Sequence, residues 1–528
     1  MPTGVPVPTG VPGPTGVPGV PGPTGAGQHG AQRPVQDGGP MKARTPLSRA
    51  WARLGEKTKK TERSGSPLPP PSHGDGRVRS PLIRTQVPSG RGAAEQPNAT
   101  PDGDANLTPR FWIAVVLTGV ATGLFGAGLL ALLFTVEHVA FGSGPGDFQT
   151  LVERSSDLRR VVSLVVAGAV GGPAWYFLRR FTRGGKSEVD EAIWSGDGRL
   201  SLVRSLGTGA ISELVIGMGA SIGREAAPKL MGGVSGSVVS GWFGLTTPQR
   251  KLLVACGAGA GLAAVYNVPL GGALFTAELL VGSISLPVVL PALVCSWIAT
   301  ATAWVYLPQH ATYVGVPDFR FSFSIMAWAL LAGPVIGLFA VACIRMVGFA
   351  SHYRARGRVA IAAPLVAFAV LGVIGIAYPA LFGNGKDMAA GAFLGQGAIL
   401  ALLALALLKP AVTAMCLGTG ASGGLFTPFM STGAVFGAML GAAWSMAWPG
   451  TPQGAFALVG AAAMIGAAMQ APLAGLVLVL ELTHSGFGLM VPVMAATFLA
   501  TAVARHLDGY SIYSVRLPKV PGPEPAGT

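Results

Sequence analysis

Charged residues are scarce in this chain. Only 11% of its 528 residues are Asp, Glu, Lys or Arg, half are hydrophobic, and the mean hydropathy is +0.53. Soluble globular chains carry about 25% charged residues. A soluble fold is therefore excluded, and we predict an all-α integral membrane protein.

Cysteine and catalytic groupings are also sparse. The four cysteines lie far apart in apolar runs, with no CxxC spacing and no neighbouring His. This pattern favours reduced packing residues over a disulfide framework or a metal site. No Ser, His and carboxylate grouping is seen in the apolar runs, so we predict neither an enzyme nor a cofactor.

Long apolar runs are abundant, and many of them are interrupted. About ten segments approach the length needed to cross roughly 30 Å of hydrocarbon, but several are short or broken by Gly and Pro. Such segments are typical of helices that span only part of the membrane.

The N-terminal region, residues 1–105, differs from the rest of the chain. It is rich in Pro and Gly, it contains a basic stretch, and its sequence cannot bury a core. We predict a disordered tail that the positive-inside rule places in the cytoplasm of a multi-pass plasma-membrane protein. The net charge of +14 therefore does not indicate nucleic acid binding. Met41, just before the basic stretch, is an alternative start.

Two motifs recur about 200 residues apart. Residues 217–228 read GMGASIGREAAP and residues 418–428 read GTGASGGLFTP; likewise NVPLGGALFTAE at 267–278 is matched by QAPLAGLVLVLE at 470–481. This spacing predicts a duplication within a transmembrane domain at 106–517, with repeats at about 110–306 and 320–517. Residues 518–528 form a short tail.

The first motif pair has the composition of an anion site. A helix that begins inside a membrane exposes unpaired N–H groups and the positive end of its dipole, and glycine lets an ion approach the backbone. The alternative is close helix packing through small residues.

Glu225 is the candidate gate of such a site. Its carboxylate would compete with a permeant anion for the same donors, and ionisable residues inside membranes are usually functional. The alternative is an ion pair with Arg224, although adjacent helical residues do not face each other. Glu213 has no evident role.

GREAAP at 223–228, GLFTP at 424–428, the two Pro-Leu motifs and IYS at 512–514 together resemble the CLC family of chloride channels and proton-coupled chloride antiporters. The resemblance extends over about 110–517. It implies a CLC-like homodimer in the lipid bilayer, whose subunits each contain two inverted repeats of tilted and broken helices and one anion pathway.

The resemblance also implies the site residues. Glu225 would be the external gate, and the anion would contact Arg224, the backbone near Ala226, Leu425 and Phe426, and the Tyr513 hydroxyl. For Tyr513 alone, an interfacial aromatic is the alternative.

Two departures from the family pattern affect the expected function. The loop that carries a pore serine in the family reads GGKSE here, with Gly184 at the serine position, so halide selectivity is open. Leu279 stands where antiporters usually carry a proton-transferring glutamate.

We therefore expect channel-like conduction of chloride or related small anions, with proton-coupled antiport as the alternative. A proton path would run through Glu225 and Glu278, but the stronger interpretation of Glu278 is a helix-end glutamate in a polar intersubunit or cytoplasmic setting. A non-conducting membrane scaffold is a third hypothesis.

Overall fold

The computed structural model describes residues 107–182 and 188–517 of the chain. The predicted tails at 1–105 and 518–528, and Gly184, lie outside these ranges. The described residues contain no β-strand, only an isolated bridge between two glycines. The all-helical prediction is confirmed.

The first half begins with a long helix whose first turn is capped by the Thr108 side chain and contains Pro109. Its helices are α1 (Pro109–Phe141), α2 (Phe148–Arg154), α3 (Asp157–Phe181), α4 (Val189–Trp194), α5 (Leu202–Gly217), α6 (Ala226–Trp242), α7 (Thr247–Tyr266), α8 (Pro269–Leu274, continuing as a π-helix over Phe275–Val281) and α9 (Leu286–Ala303).

The second half repeats this order without a counterpart of α2. Its helices are α10 (Phe323–His352), α11 (Val359–Ala377), α12 (Lys386–Phe393), α13 (Ile399–Gly418), α14 (Phe426–Ser445), α15 (Gln453–Met469), α16 (Pro472–Thr483) and α17 (Met490–Leu507), with short 3₁₀ turns at Pro379–Leu381, Phe487–Leu489 and Ser514–Arg516. The duplication expected from the motif pairs is therefore present in the fold.

Only some of the described helices are long enough to cross a membrane. Eight segments of the described chain are long and apolar enough to cross a bilayer, whereas the Pro269–Val281, Gln453–Met469 and Pro472–Thr483 helices are apolar but shorter. Many large apolar side chains on the long helices are exposed, such as Leu124 and Val366. That outer surface suits contact with lipid.

Equivalent helices pack in equivalent ways. Helix α3 packs against α11, and the pair α6 and α7 corresponds to the pair α14 and α15. Gly232 and Gly257 make the α6–α7 contact, because a Cβ atom on either would collide with the other's backbone carbonyl. Close backbone approach through small residues is typical of helix packing in membranes, where no hydrophobic effect drives helices together.

The turns before the two Pro-Leu helices are also equivalent. Asn267 ends α7 and Gln470 ends α15, each with a left-handed φ of 58°. Asn tolerates this conformation better than most residues, and the proline two residues on fits the first turn of a helix. A turn therefore leads into a helix at Pro269 and again at Pro472.

Candidate functional site

The two glycine-rich loops meet inside the protein. The backbone N–H of Gly223 donates to the carbonyl of Gly424, the N–H of Gly424 donates back to Gly223, and both N···O distances are 2.8 Å. The antiparallel pairing joins equivalent residues of the two repeats. It places the start of α6 beside the start of α14, as a pseudo-two-fold axis requires.

Glu225 reaches from the first repeat into the second. Its Oε1 accepts a hydrogen bond from the N–H of Phe426 at 2.7 Å, and its Oε2 accepts from the hydroxyl groups of Thr427 at 3.2 Å and Tyr266 at 3.4 Å. The residue is only 3% exposed. A carboxylate therefore occupies the positive end of α14, where backbone donors favour negative charge.

Glycines lie on both sides of this carboxylate and leave room for it. A Cβ atom at Gly223 or at Gly424 would collide with the carboxylate oxygens of Glu225. The pocket that holds the carboxylate is thus shaped by main chain.

The other predicted residues near Glu225 are arranged as follows. Leu425 is buried and forms the N-cap of α14, and Ala226 is the first residue of α6. Arg224 is 6% exposed and its guanidinium lies over the ring of Tyr266, 5.2 Å from the ring centroid. Among the described residues no ion pair joins Arg224 to Glu225, which agrees with the geometric argument against one.

Tyr513 lies in the segment after α17 and is buried at 7% exposure. Its ring packs edge-to-face against Phe275, with centroids 5.9 Å apart, and Ile512 donates its N–H to the carbonyl of Ala468 at 2.8 Å. The Nζ atom of Lys229 lies 4.3 Å from the centroid of the same ring. Tyr513 is thus an interior residue of the protein.

A basic cavity of about 660 Å³ opens beside the second glycine loop. Gly420 and Ser422 of that loop line it, and Arg179 donates a hydrogen bond to the Gly420 carbonyl. Its charged lining consists of Arg179, Arg180, Arg204, Arg354, Arg356 and Arg516, with Glu188 and Glu191. The excess of arginine produces a positive potential that attracts anions into the cavity.

The glutamates of the second motif pair cap each other's helices. Glu278 accepts hydrogen bonds from the N–H groups of Leu473 and Ala474 at 3.2 and 2.6 Å, while Glu481 accepts from Leu270 and Gly271 at 3.0 and 2.6 Å. Each carboxylate therefore satisfies the orphan donors of the other repeat's Pro-Leu helix.

Two buried polar residues escaped the sequence reasoning. Tyr266 joins the two repeats, because its hydroxyl contacts Glu225 and lies 2.6 Å from the Thr427 hydroxyl. Lys409 is fully buried, and its Nζ donates to Ser221 Oγ and to the carbonyls of Leu381 and Gly383 at 2.8 to 3.1 Å. Lys409 is the lone lysine in the apolar run 399–418, and an ionisable residue in such a run predicts a buried polar contact.

Glu213, which has no evident role from sequence alone, is fully buried on α5. Neither of its carboxylate oxygens has a hydrogen-bond partner among the described residues. Within those residues no group of three His, Cys, Asp or Glu side chains could hold a metal ion, and the four cysteines are buried and unpaired.

The fold and the site together define a duplicated membrane protein in which two helix N-termini converge on a buried carboxylate. Residues 167–505 match the family described as voltage gated chloride channel, and the chain belongs to this CLC family. Chloride transport is thus its broad function.

Curated relatives agree with this membership. A ClcB-like protein of Ralstonia nicotianae is 32% identical over 64% of this chain and 80% of the relative. The voltage-gated ClC-type chloride channel ClcB of Escherichia coli O157:H7 is 28% identical over 76% of this chain and 97% of the relative.

Solved structures share the fold. A slow cyanobacterial Cl⁻/H⁺ antiporter matches 78% of this chain and 97% of its own, with a TM-score of 0.68 at 23% identity. A CLC-type fluoride/proton antiporter matches 77% of this chain and 97% of its own, with a TM-score of 0.63 at 18% identity. The resemblance read from the motifs is confirmed.

Proposed function

We propose that the chain conducts chloride or related small anions as a channel, with Glu225 as its gate. One observation carries the proposal: the Glu225 carboxylate accepts the N–H of Phe426 at 2.7 Å, at the N-terminus of α14. The carboxylate holds the position that a dehydrated anion would take. Conduction therefore requires that the carboxylate leave.

Protonation is the simplest way to release Glu225. The ionised carboxylate makes a charge-assisted hydrogen bond to Phe426, which is stronger than a bond to a neutral acid. When the group takes up a proton, that advantage is lost, and an anion can replace it on the same donors. The gate then opens as pH falls.

The other proposed anion contacts divide into an outer and an inner part of the pathway. Backbone N–H groups near Ala226, Leu425 and Phe426, together with Arg224, form the outer part, and the hydroxyl of Tyr513 and the loop at Gly184 form the inner part. Because glycine has no side chain, position 184 supplies no hydroxyl donor. The arginine-rich cavity concentrates anions at the entrance, since backbone donors alone act only at short range.

Proton-coupled antiport is the second candidate. Its support is the description of two structural neighbours as antiporters. Against it, Leu279 is buried and cannot carry a proton, and Glu278 is engaged as the cap of α16. A proton path through Glu225 and Glu278 stays a prediction, and the contacts of Glu278 favour its structural role.

The assembly and location form part of the same proposal. We propose a homodimer in the plasma membrane, with one pathway per subunit and the N-terminal tail in the cytoplasm. The partners are lipid, small anions and, in the antiport alternative, protons. We propose no catalytic activity for this protein.

Reconstitution into liposomes loaded with chloride tests the proposal. Chloride efflux without uphill proton movement supports a channel, whereas proton pumping driven by a chloride gradient establishes antiport instead. Efflux no faster than from protein-free liposomes would leave only the non-conducting scaffold.

A further inference from the structure

Lys229 and Asp190 form a buried ion pair to which the proposed function gives no role. The Nζ atom of Lys229 lies 2.8 and 3.2 Å from the two carboxylate oxygens of Asp190, and the side chains are only 12% and 7% exposed. Burying two charges is costly, and a buried pair often stabilises a protein no better than apolar residues would. Stability alone therefore explains this pair poorly.

The pair lies along the proposed anion pathway. Lys229 is one helical turn after Glu225 on α6, and its N–H donates to the Glu225 carbonyl at 3.1 Å, so both side chains project from one helix face. Its ammonium is 4.3 Å from the centroid of the Tyr513 ring. Asp190 is the second residue of α4.

The ammonium has donor capacity to spare. A lysine carries three N–H donors, and within the described ranges Lys229 donates hydrogen bonds only to Asp190. On the side of Tyr513 the ammonium lies over the ring face, in a cation–π contact rather than a hydrogen bond. A small anion beside the tyrosine hydroxyl would complete the coordination of both groups.

We infer that Lys229 is an anion-coordinating residue of the inner site, beside Tyr513. This inference rests on the proposed function, because it assumes that a halide passes Tyr513. Asp190 balances the charge of the ammonium, so the site attracts an anion without trapping it. Conduction needs that compromise, since each ion must bind and also leave.

Titration of the detergent-solubilised protein with sodium chloride in a calorimeter tests the inference directly. For Lys229→Gln we expect the Kd for chloride to rise about tenfold, the loss of one charge-assisted hydrogen bond. Lys229→Arg should retain most of the affinity. The matched control is Arg199→Gln, which removes a cation from the exposed Arg199–Asp197 pair and should leave the Kd unchanged.

Asp190→Asn tests the same point in the opposite direction. It keeps the side-chain shape and frees the ammonium, so the Kd for chloride should fall, and anion release should become slower. This variant decides the matter if Lys229→Gln fails to give monodisperse protein. An unchanged or higher Kd in Asp190→Asn, or an unchanged Kd in a folded Lys229→Gln, overturns the inference.

The wild-type flux assay separates this inference from the proposed function. If wild-type liposomes release chloride while the variants bind chloride as the wild type does, only the role of Lys229 is wrong. If wild-type liposomes release none, the proposed function fails and the inference fails with it.

Discussion

Glu278 and Glu481 hold equivalent positions in the two repeats, and each caps the helix that carries the other. Their shortest hydrogen bonds, to Ala474 and Gly271, are both 2.6 Å. The exchange joins the two halves of the chain at a second place, besides the backbone pairing of Gly223 with Gly424.

Loss of either cap should destabilise the protein by a similar amount. Glu278→Gln and Glu481→Gln each replace one carboxylate oxygen with an amide NH₂ group, which cannot accept a helix N–H, and each also removes the negative charge at the helix N-terminus. We expect a loss of about 1–3 kcal/mol for each variant, seen as a lower midpoint of thermal unfolding in detergent. Glu153→Gln, at an exposed glutamate, is the control. Midpoints equal to that of the control would show that the caps contribute nothing.

Lys409 should be necessary for the order of the first glycine loop. Lys409→Met removes the donor to Ser221 and leaves the carbonyls of Leu381 and Gly383 without it. Each orphaned buried group costs about 1–3 kcal/mol. Thermal unfolding should show a clear loss of stability, whereas Arg505→Met, at an exposed cation, should show little. If both variants unfold at the wild-type temperature, the lysine does not hold the loop.

Glu213 should be replaceable without loss of stability. Its carboxylate is buried and has no hydrogen-bond partner among the described residues, so its desolvation cost is not offset by hydrogen bonds. Glu213→Leu removes that cost at similar volume, and we expect an unfolding midpoint at or above the wild-type value. Glu213→Gln, which keeps a polar group, is the comparison and should not exceed it. A marked drop for the leucine variant would reveal a partner for Glu213.

Motif repetition predicted much of this protein, because local chemistry is visible in sequence. The glycine loops had to be non-helical entries, and Glu225 was the one carboxylate inside them. Contacts between distant residues were less accessible. The caps at Glu278 and Glu481 depend on how two helices cross, and the Lys229–Asp190 pair depends on where α4 meets α6. Neither geometry follows from spacing along the chain.

Chloride efflux measured against pH, for wild-type protein and Glu225→Gln in liposomes, tests the central claim most directly. Wild-type efflux should rise as pH falls, because protonation removes the carboxylate from Phe426. Glu225→Gln should be independent of pH and about tenfold faster than wild type at neutral pH, since the neutral amide lacks the charge-assisted bond. Glu153→Gln should follow the wild-type curve. A Glu225→Gln variant that keeps the wild-type rate and pH response would contradict the assignment of Glu225 as the gate.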